Sequence, residues 1–322
     1  MFKGNDVIGN TPMIRIEYRY KREKRHVFAK LEYFNLTGSI KDRVAYYIIK
    51  NAKEREELKE GMPIVEATSG NTGISLAALG AYYKHPVYIF MPDWASVERV
   101  KLMSSYGAKV ILVSREAGGF KKCVDEAKKM AKEINGFLAN QFANRDNYLA
   151  HYETTGEEII KQITEKIDGF VSGVGTGGTL IGTGDRLKKK FSNIYITAIE
   201  PDKMPIISGG KIKGQHKIEG IGDDFIPDLV AKNKIDKVLL INDDDAINMS
   251  RKLARELGLG VGISSGANLL GSILLADEIK GNVVTIFADD SKKYLSTDLF
   301  KDKNIGGNFI SDKVELINYE KV

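Results

Sequence analysis

One cysteine, Cys123, and four histidines among 322 residues leave no material for a disulfide or a Cys/His metal cluster. No structural metal is expected. Long apolar runs are missing too: the run over 283–288 is far too short to span a bilayer, and residues 1–10 hold no stretch of the signal-peptide kind. A cytoplasmic protein without membrane contact is expected. Nor is there a large excess of one charge, with 48 Lys and Arg against 43 Asp and Glu for a net +5. That mild surplus suits small anionic ligands and does not require nucleic acid. The basic clusters at 21–25 and 188–190 lack interleaved aromatics and read as solvated faces.

The composition that is present, 43% hydrophobic and 28% charged, is an ordinary globular balance in a chain long enough for two domains or one large α/β unit. Short β-branched runs alternate with amphipathic stretches: 27–33 then 41–60, 64–68 then 72–83, 87–91 then 96–106, 110–114 then 120–134. The rhythm resumes with 170–174 and 179–190, then 194–200, 246–257 and 283–287. It predicts an α/β fold of mostly parallel open sheets, which place ligands where a strand ends and the next helix begins. Residues 201–236, rich in Gly, Pro, Lys and Asp, are expected to form a long mobile loop region, and the tail 301–322, with its own apolar alternation, to pack elsewhere.

Three strand-to-helix turns carry chemistry. The first, Thr68, Ser69, Gly70, Asn71, Thr72 and Gly73, offers free backbone N–H groups at a helix start, an anion site that a plain N-cap would explain equally. The second, Gly175, Thr176, Gly177, Gly178 and Thr179, lets backbone approach a tetrahedral anion closely, so phosphate is its natural guest. It is neither a P-loop nor a dinucleotide fingerprint. The third holds Lys41, which a capping Ser39 or Thr37 places in a first helical turn, where a cation is disfavoured by roughly 0.3–1 kcal/mol. An amine used as a Schiff-base nucleophile explains that placement; an exposed lysine relieved by Asp42 is the plain alternative.

Taken in order, these segments resemble the cysteine synthase and cystathionine β-synthase family of fold-type II pyridoxal phosphate enzymes. The resemblance covers nearly the whole chain: IGNTP (8–12), TGSIKDR (37–43), TSGNTG (68–73), YGAKV (106–110), NQFAN (140–144), GVGTGGT (173–179), GIGDDFIP (220–227), GISSG (262–266) and YLSTDLF (294–300). It implies two open, twisted, mostly parallel sheets flanked by helices, with the cofactor in a cleft between a smaller mobile domain, 37–147, and a larger anchoring domain, 1–36 plus 148–322. A homodimer is implied as well.

Residue by residue, the resemblance makes Lys41 the Schiff-base lysine and the base for the substrate α-proton. Asn71 becomes the partner of the cofactor's 3′-oxygen, and Gly175, Thr176, Gly177, Gly178 and Thr179 the phosphate cradle. Ser264 faces the ring nitrogen, where a neutral hydroxyl moderates the electron sink and favours expulsion of a β-substituent. Thr68, Ser69, Gly70, Thr72, Gln141 and Gly222 contact the substrate. The implied activity is β-replacement or β-elimination on L-cysteine, L-serine or O-acetyl-L-serine through an aminoacrylate.

Departures from the family bear on which reaction. Asp223 and Asp224 stand where enzymes using O-acetylserine carry small residues, and cystathionine β-synthases match the second with an acidic residue. A carboxyl group beside the β-carbon manages protons for a poor leaving group such as sulfide or hydroxide, or activates water, whereas acetate needs no such help. The expectation is therefore release of hydrogen sulfide from L-cysteine, giving L-serine or a thioether such as lanthionine or cystathionine. The alternatives are a sulfhydrylase making L-cysteine from O-acetylserine and, in a different class, a non-catalytic protein binding pyridoxal phosphate or a nucleotide. Leu36, Arg145, Asp146, Met204 and Ala288 are further departures, and Asp290 is expected near the ring-nitrogen end of the site.

Overall fold

The structure, a computed structural model, describes residues 7–301 and 307–322. Its strands sort into two sheets. The larger has seven strands, and its middle and one flank are parallel: β2 (Glu23–Leu31), β7 (Gly169–Gly173), β8 (Tyr195–Pro201), β9 (Lys237–Ile241) and β10 (Val283–Phe287), in spatial order β2, β10, β7, β8, β9. At its other flank β1 (Met13–Tyr20) pairs antiparallel with β2 and with β11 (Val314–Lys321). The tail thus does not pack elsewhere; its alternation is that of an edge strand on the same sheet. The smaller sheet is wholly parallel, in the order β5 (Lys109–Val113), β4 (Val87–Pro92), β3 (Ile64–Ala67), β6 (Phe137–Leu138).

Helices cover both sheets. α1 (Lys41–Glu54), α2 (Asn71–Tyr83) and α3 (Val97–Ser105) share one core with β3 and β4, built on Ile48, Ile49, Ile64, Leu79, Ile89 and Met103. α4 (Gly119–Glu133) closes the opposite face of the smaller sheet with Cys123, Ala127 and Ala131 on Val65 and Phe90. α5 (Arg145–Ala150), α6 (Gly156–Gln162) and α7 (Gly178–Lys190) lead into the larger sheet, where Leu180 and Leu187 pack with Phe170, Ile196 and Val284. α8 (Asp243–Leu257) and α9 (Ile263–Ile279) lie on its other face against Ile16, Val27 and Ile199. Local signals set several ends: the Asn242 side chain accepts from Asp244 and Asp245 N–H, and Gly258 ends α8 at φ +70. Among the described residues no helix is long and apolar enough to cross a membrane.

One buried ionic cluster fixes where α1 starts. The Arg43 guanidinium donates to Glu32 from Nε at 2.7 Å and to Glu158 from Nη1 at 2.6 Å, and Lys30 reaches Glu158 at 2.8 Å. Arg43 and Glu32 are 1% and 0% exposed, so each charge depends on its partners. The cluster ties the end of β2, the first turn of α1 and α6 together, two residues from Lys41.

Candidate active site

The carboxyl ends of β3, β4, β7 and β10 open onto one cavity of about 800 Å³, in the range of small-molecule sites. Lys41 is the first residue of α1 and lines this cavity. The expected cap is absent: Ile40 precedes the helix, no side chain caps it, and Ser39 Oγ only accepts from Lys41 N–H at 3.3 Å. Thr37 donates instead, through N–H and hydroxyl, to the buried Asp42 carboxylate at 2.7 and 2.6 Å. Asp42 is therefore spent on the preceding loop and does not relieve Lys41. Burial lowers the Lys41 amine to about 8, and the charges of Asp223 and Asp289 only partly restore it.

The Gly175 to Thr179 loop joins β7 to α7. A side chain at Gly175 would meet the Gly220 carbonyl at 2.5 Å, and Gly177 takes φ +87, so both positions need glycine. Thr176 and Thr179 line the same wall. Asn147 donates to Thr176 Oγ1 at 2.8 Å, and His151 Nε2 lies 3.2 Å from Thr179 Oγ1. Burial holds His151 well below its usual range, so a neutral imidazole orients that hydroxyl. Gly178 is the one predicted cradle residue that does not line the cavity; it sits behind, with Asn147 where a side chain would go.

The turn between β3 and α2 brings Thr68, Ser69, Gly70, Asn71 and Thr72 to the facing wall with Gln141. Thr72 Oγ1 donates to Gln141 Oε1 at 2.5 Å, and Gln141 Nε2 donates to the Ala67 carbonyl at 3.1 Å. Beneath them Glu66 accepts from Gln141 N–H at 3.0 Å, its carboxyl pushed up to about 7 by burial. Asn71 Nδ2 donates to Asp289 Oδ2 at 2.7 Å, while Asn71 Oδ1 is buried without a partner. Ser264, in the first turn of α9, lines the wall beside it.

Gly222, Asp223 and Asp224 come from the 201–236 segment, which is irregular apart from a short turn at Lys232–Lys234. Asp223 is, with Asp289, one of two carboxyl groups whose charge acts on Lys41: burial and the neighbouring Asp224 push it up to about 6, and Lys41 pulls it down. Asp224 is exposed at the mouth. Asp290 does not line the cavity; its carboxylate accepts from Lys292 N–H and lies against Gly38. The carboxylate beside Asn71 is Asp289, fully buried, which also accepts from Tyr294 OH at 2.8 Å. Sequence reading passed over it because an Asp-Asp pair after a strand gives no sign of which member turns inward. It likewise passed over Arg99, buried, stacked on the Tyr294 ring at 4.7 Å and ion-paired with Glu219.

A glycine-built loop that added side chains would obstruct, a buried amide oxygen without a partner, and a lysine whose amine burial lowers to about 8 fit a phosphorylated aldehyde cofactor. Comparison with known proteins agrees. Residues 5–289 match the family described as pyridoxal-phosphate dependent enzyme. The chain is 41% identical over 300 residues to cysteine synthase B of Campylobacter jejuni, covering 92% of this chain and 98% of that protein. It is 49% identical to a crystallised hydrogen sulfide-producing enzyme of Fusobacterium nucleatum, with TM-score 0.94 and coverage of 99% and 98%. An Asp-to-Asn variant of that enzyme has been crystallised with an α-aminoacrylate intermediate. A cysteine synthase from Entamoeba histolytica superposes with TM-score 0.87 at 39% identity, covering 97% of this chain and 94% of that one.

Proposed function

The chain belongs to the pyridoxal-phosphate dependent enzyme family, as a cysteine synthase-like member, and from that premise we propose that it replaces the thiol of L-cysteine at the β-carbon and releases hydrogen sulfide. With water as the incoming group, L-cysteine and water give L-serine and hydrogen sulfide; with a thiol, the product is a thioether. The observation that carries this reading is the pairing in one cavity of Lys41, lowered to about 8, with Asp223, raised to about 6. Two groups poised on either side of neutrality suit a reaction that moves a proton on and off at both ends.

Bound pyridoxal phosphate supplies the electron sink that acidifies the α-carbon and lets the β-substituent leave. The residues suited to hold it are Lys41, Asn71, Ser264 and the Gly175 to Thr179 loop. The Thr68 to Thr72 turn, at the N-terminus of α2, orients the substrate carboxylate with Gln141. Lys41 takes the α-proton on its amine. The thiol leaves as the hydrosulfide ion, and Asp223, starting as the carboxylate, takes a proton from the incoming water and passes it on to that ion. A hydrogen sulfide-producing relative at 49% identity supports the choice of L-cysteine.

The second reading, synthesis of L-cysteine from O-acetylserine and sulfide, is favoured by the names of the curated relatives. Product analysis of the purified holoenzyme separates the two. L-cysteine alone is expected to give sulfide and serine, and L-cysteine with an added thiol a thioether. If L-cysteine stays intact while O-acetylserine and sulfide give cysteine rapidly, the second reading replaces the first.

The cradle gives an independent check on the cofactor. Gly175→Ala forces its methyl group onto the Gly220 carbonyl, an overpacking cost of about 1–3 kcal/mol, so the dissociation constant of pyridoxal phosphate is expected to rise roughly 10- to 100-fold. Titration of the apoenzyme measures it. Unphosphorylated pyridoxal should lose far less, since the displaced wall is the one that would hold the phosphate.

A further inference from the structure

Asp223 sits on a strap whose two ends are held differently. At its start, the Gly222 N–H donates to the Val174 carbonyl at 2.9 Å, the Gly222 carbonyl lies 2.7 Å from His216 Nε2, and Ile221 packs over Gly173. These contacts seat residues 220–222 on the carboxyl end of β7. Beyond Gly222 such contacts stop. Among the described residues no hydrogen bond or ion pair holds Asp223, Asp224 or Phe225, and the next backbone bond is from Val230 to Pro227. Gly220 and Gly222, at φ +90 and +75, give the strap a backbone that turns readily.

Past the two aspartates the strap is anchored by an aromatic ring, that of Phe225. It stands 5.1 Å from the Phe142 ring at 64° and 6.4 Å from the Phe120 ring at 9°, while Phe120 and Phe142 meet at 5.6 Å and 73°. Phe120 lies in the first turn of α4 and Phe142 follows Gln141, so both belong to the elements around the smaller sheet, across the cavity from β7. The strap's other end repeats the arrangement with charge, because Glu219 pairs with Arg99 of α3. The segment carrying Asp223 is thus seated on one sheet and clasped at both ends by elements of the other.

We infer that Phe225 is a positioning residue: its packing against the Phe120 and Phe142 pair turns the strap so that Asp223 faces Lys41. This inference rests on the proton-transfer role given to Asp223 above. Three aromatic rings in edge and stacked contact supply a directional hold that an aliphatic side chain does not. A displacement of about 1 Å at a reacting group is enough to cost up to 10²-fold. Without the ring, Asp223 swings toward water, and its carboxyl returns toward the ordinary range.

The test is a double-mutant cycle on the holoenzyme with Phe225→Ala, Asp223→Asn and both together, reading sulfide release from L-cysteine across pH. Phe225→Ala is expected to lower kcat roughly 10- to 100-fold and to move the acidic limb of the pH profile to lower pH. Phe225→Tyr, which keeps the ring, should restore both. In the double variant the losses should not multiply, since Phe225 acts through Asp223. Deuterium exchange at the α-carbon of L-alanine, which has no leaving group, reports a folded and loaded site; if Phe225→Ala lacks it, Phe142→Leu opens the same clasp from the other side. Multiplying losses with an unmoved acidic limb would overturn the inference and leave the Asp223 role standing. An Asp223→Asn variant with normal sulfide release would overturn that role itself.

Discussion

Replacing Lys41 with alanine is expected to lower sulfide release from L-cysteine by about 10³-fold or more, because on the proposed reading one change removes both the covalent anchor of the cofactor and the base for the α-proton. The variant should fold. Lys41 faces the cavity, while the start of α1 is fixed by Arg43 with Glu32 and Glu158. Losing a cation at the positive end of a helix, where burial already disfavours it, relieves an unfavourable placement. The cradle remains, so pyridoxal phosphate should still bind, now without attachment to protein after borohydride reduction. The direction with pH comes from the lowered amine: below about 8 the freed amine is increasingly protonated and a poorer base, so the step it carries quickens as pH rises toward that value. Retained turnover in Lys41→Ala would defeat the assignment.

Asp223→Asn is expected to cost about 10²-fold in sulfide release from L-cysteine, with little effect on cysteine formation from O-acetylserine and sulfide. The asymmetry is chemical: incoming water must lose a proton to a base as it adds, whereas hydrosulfide adds as an anion and acetate departs as one. The wild-type profile should fall below about pH 6 as Asp223 takes up a proton and stops serving as a base. That limb should vanish in the Asn variant. Asp224→Asn is a smaller change with a defined sign. Its negative charge helps raise Asp223, so removing it lowers the Asp223 titration and shifts the limb to lower pH. Parallel losses for both substrate pairs in Asp223→Asn would mean that the residue only supports the cavity.

The sequence made the alternation of strands and helices around the smaller sheet readable, because those helices are amphipathic and those strands short and β-branched. α9 escaped the same reading: it is apolar on nearly every side and buried along its length, so it carries no helical period. The tail was readable as a strand but not as a partner of β1, because pairing across some 300 residues leaves no local trace. In the site, glycine-rich turns and Lys41 declared themselves through backbone demands and an awkward charge. Asp289, Arg99 and Phe225 did not, since each matters through what it touches across the cleft rather than through its neighbours in sequence. The assignment of Asp290 to the site failed for the same reason: successive side chains in an extended segment point opposite ways, and the inward one is Asp289.

Whether water replaces the thiol at the β-carbon is read from the fate of solvent oxygen when the holoenzyme acts on L-cysteine in ¹⁸O-water. Equal amounts of hydrogen sulfide and L-serine are expected, with the label in the serine hydroxyl and only traces of pyruvate. Sulfide accompanied by pyruvate and ammonia, or L-cysteine left unconsumed, would refute replacement at the β-carbon by water.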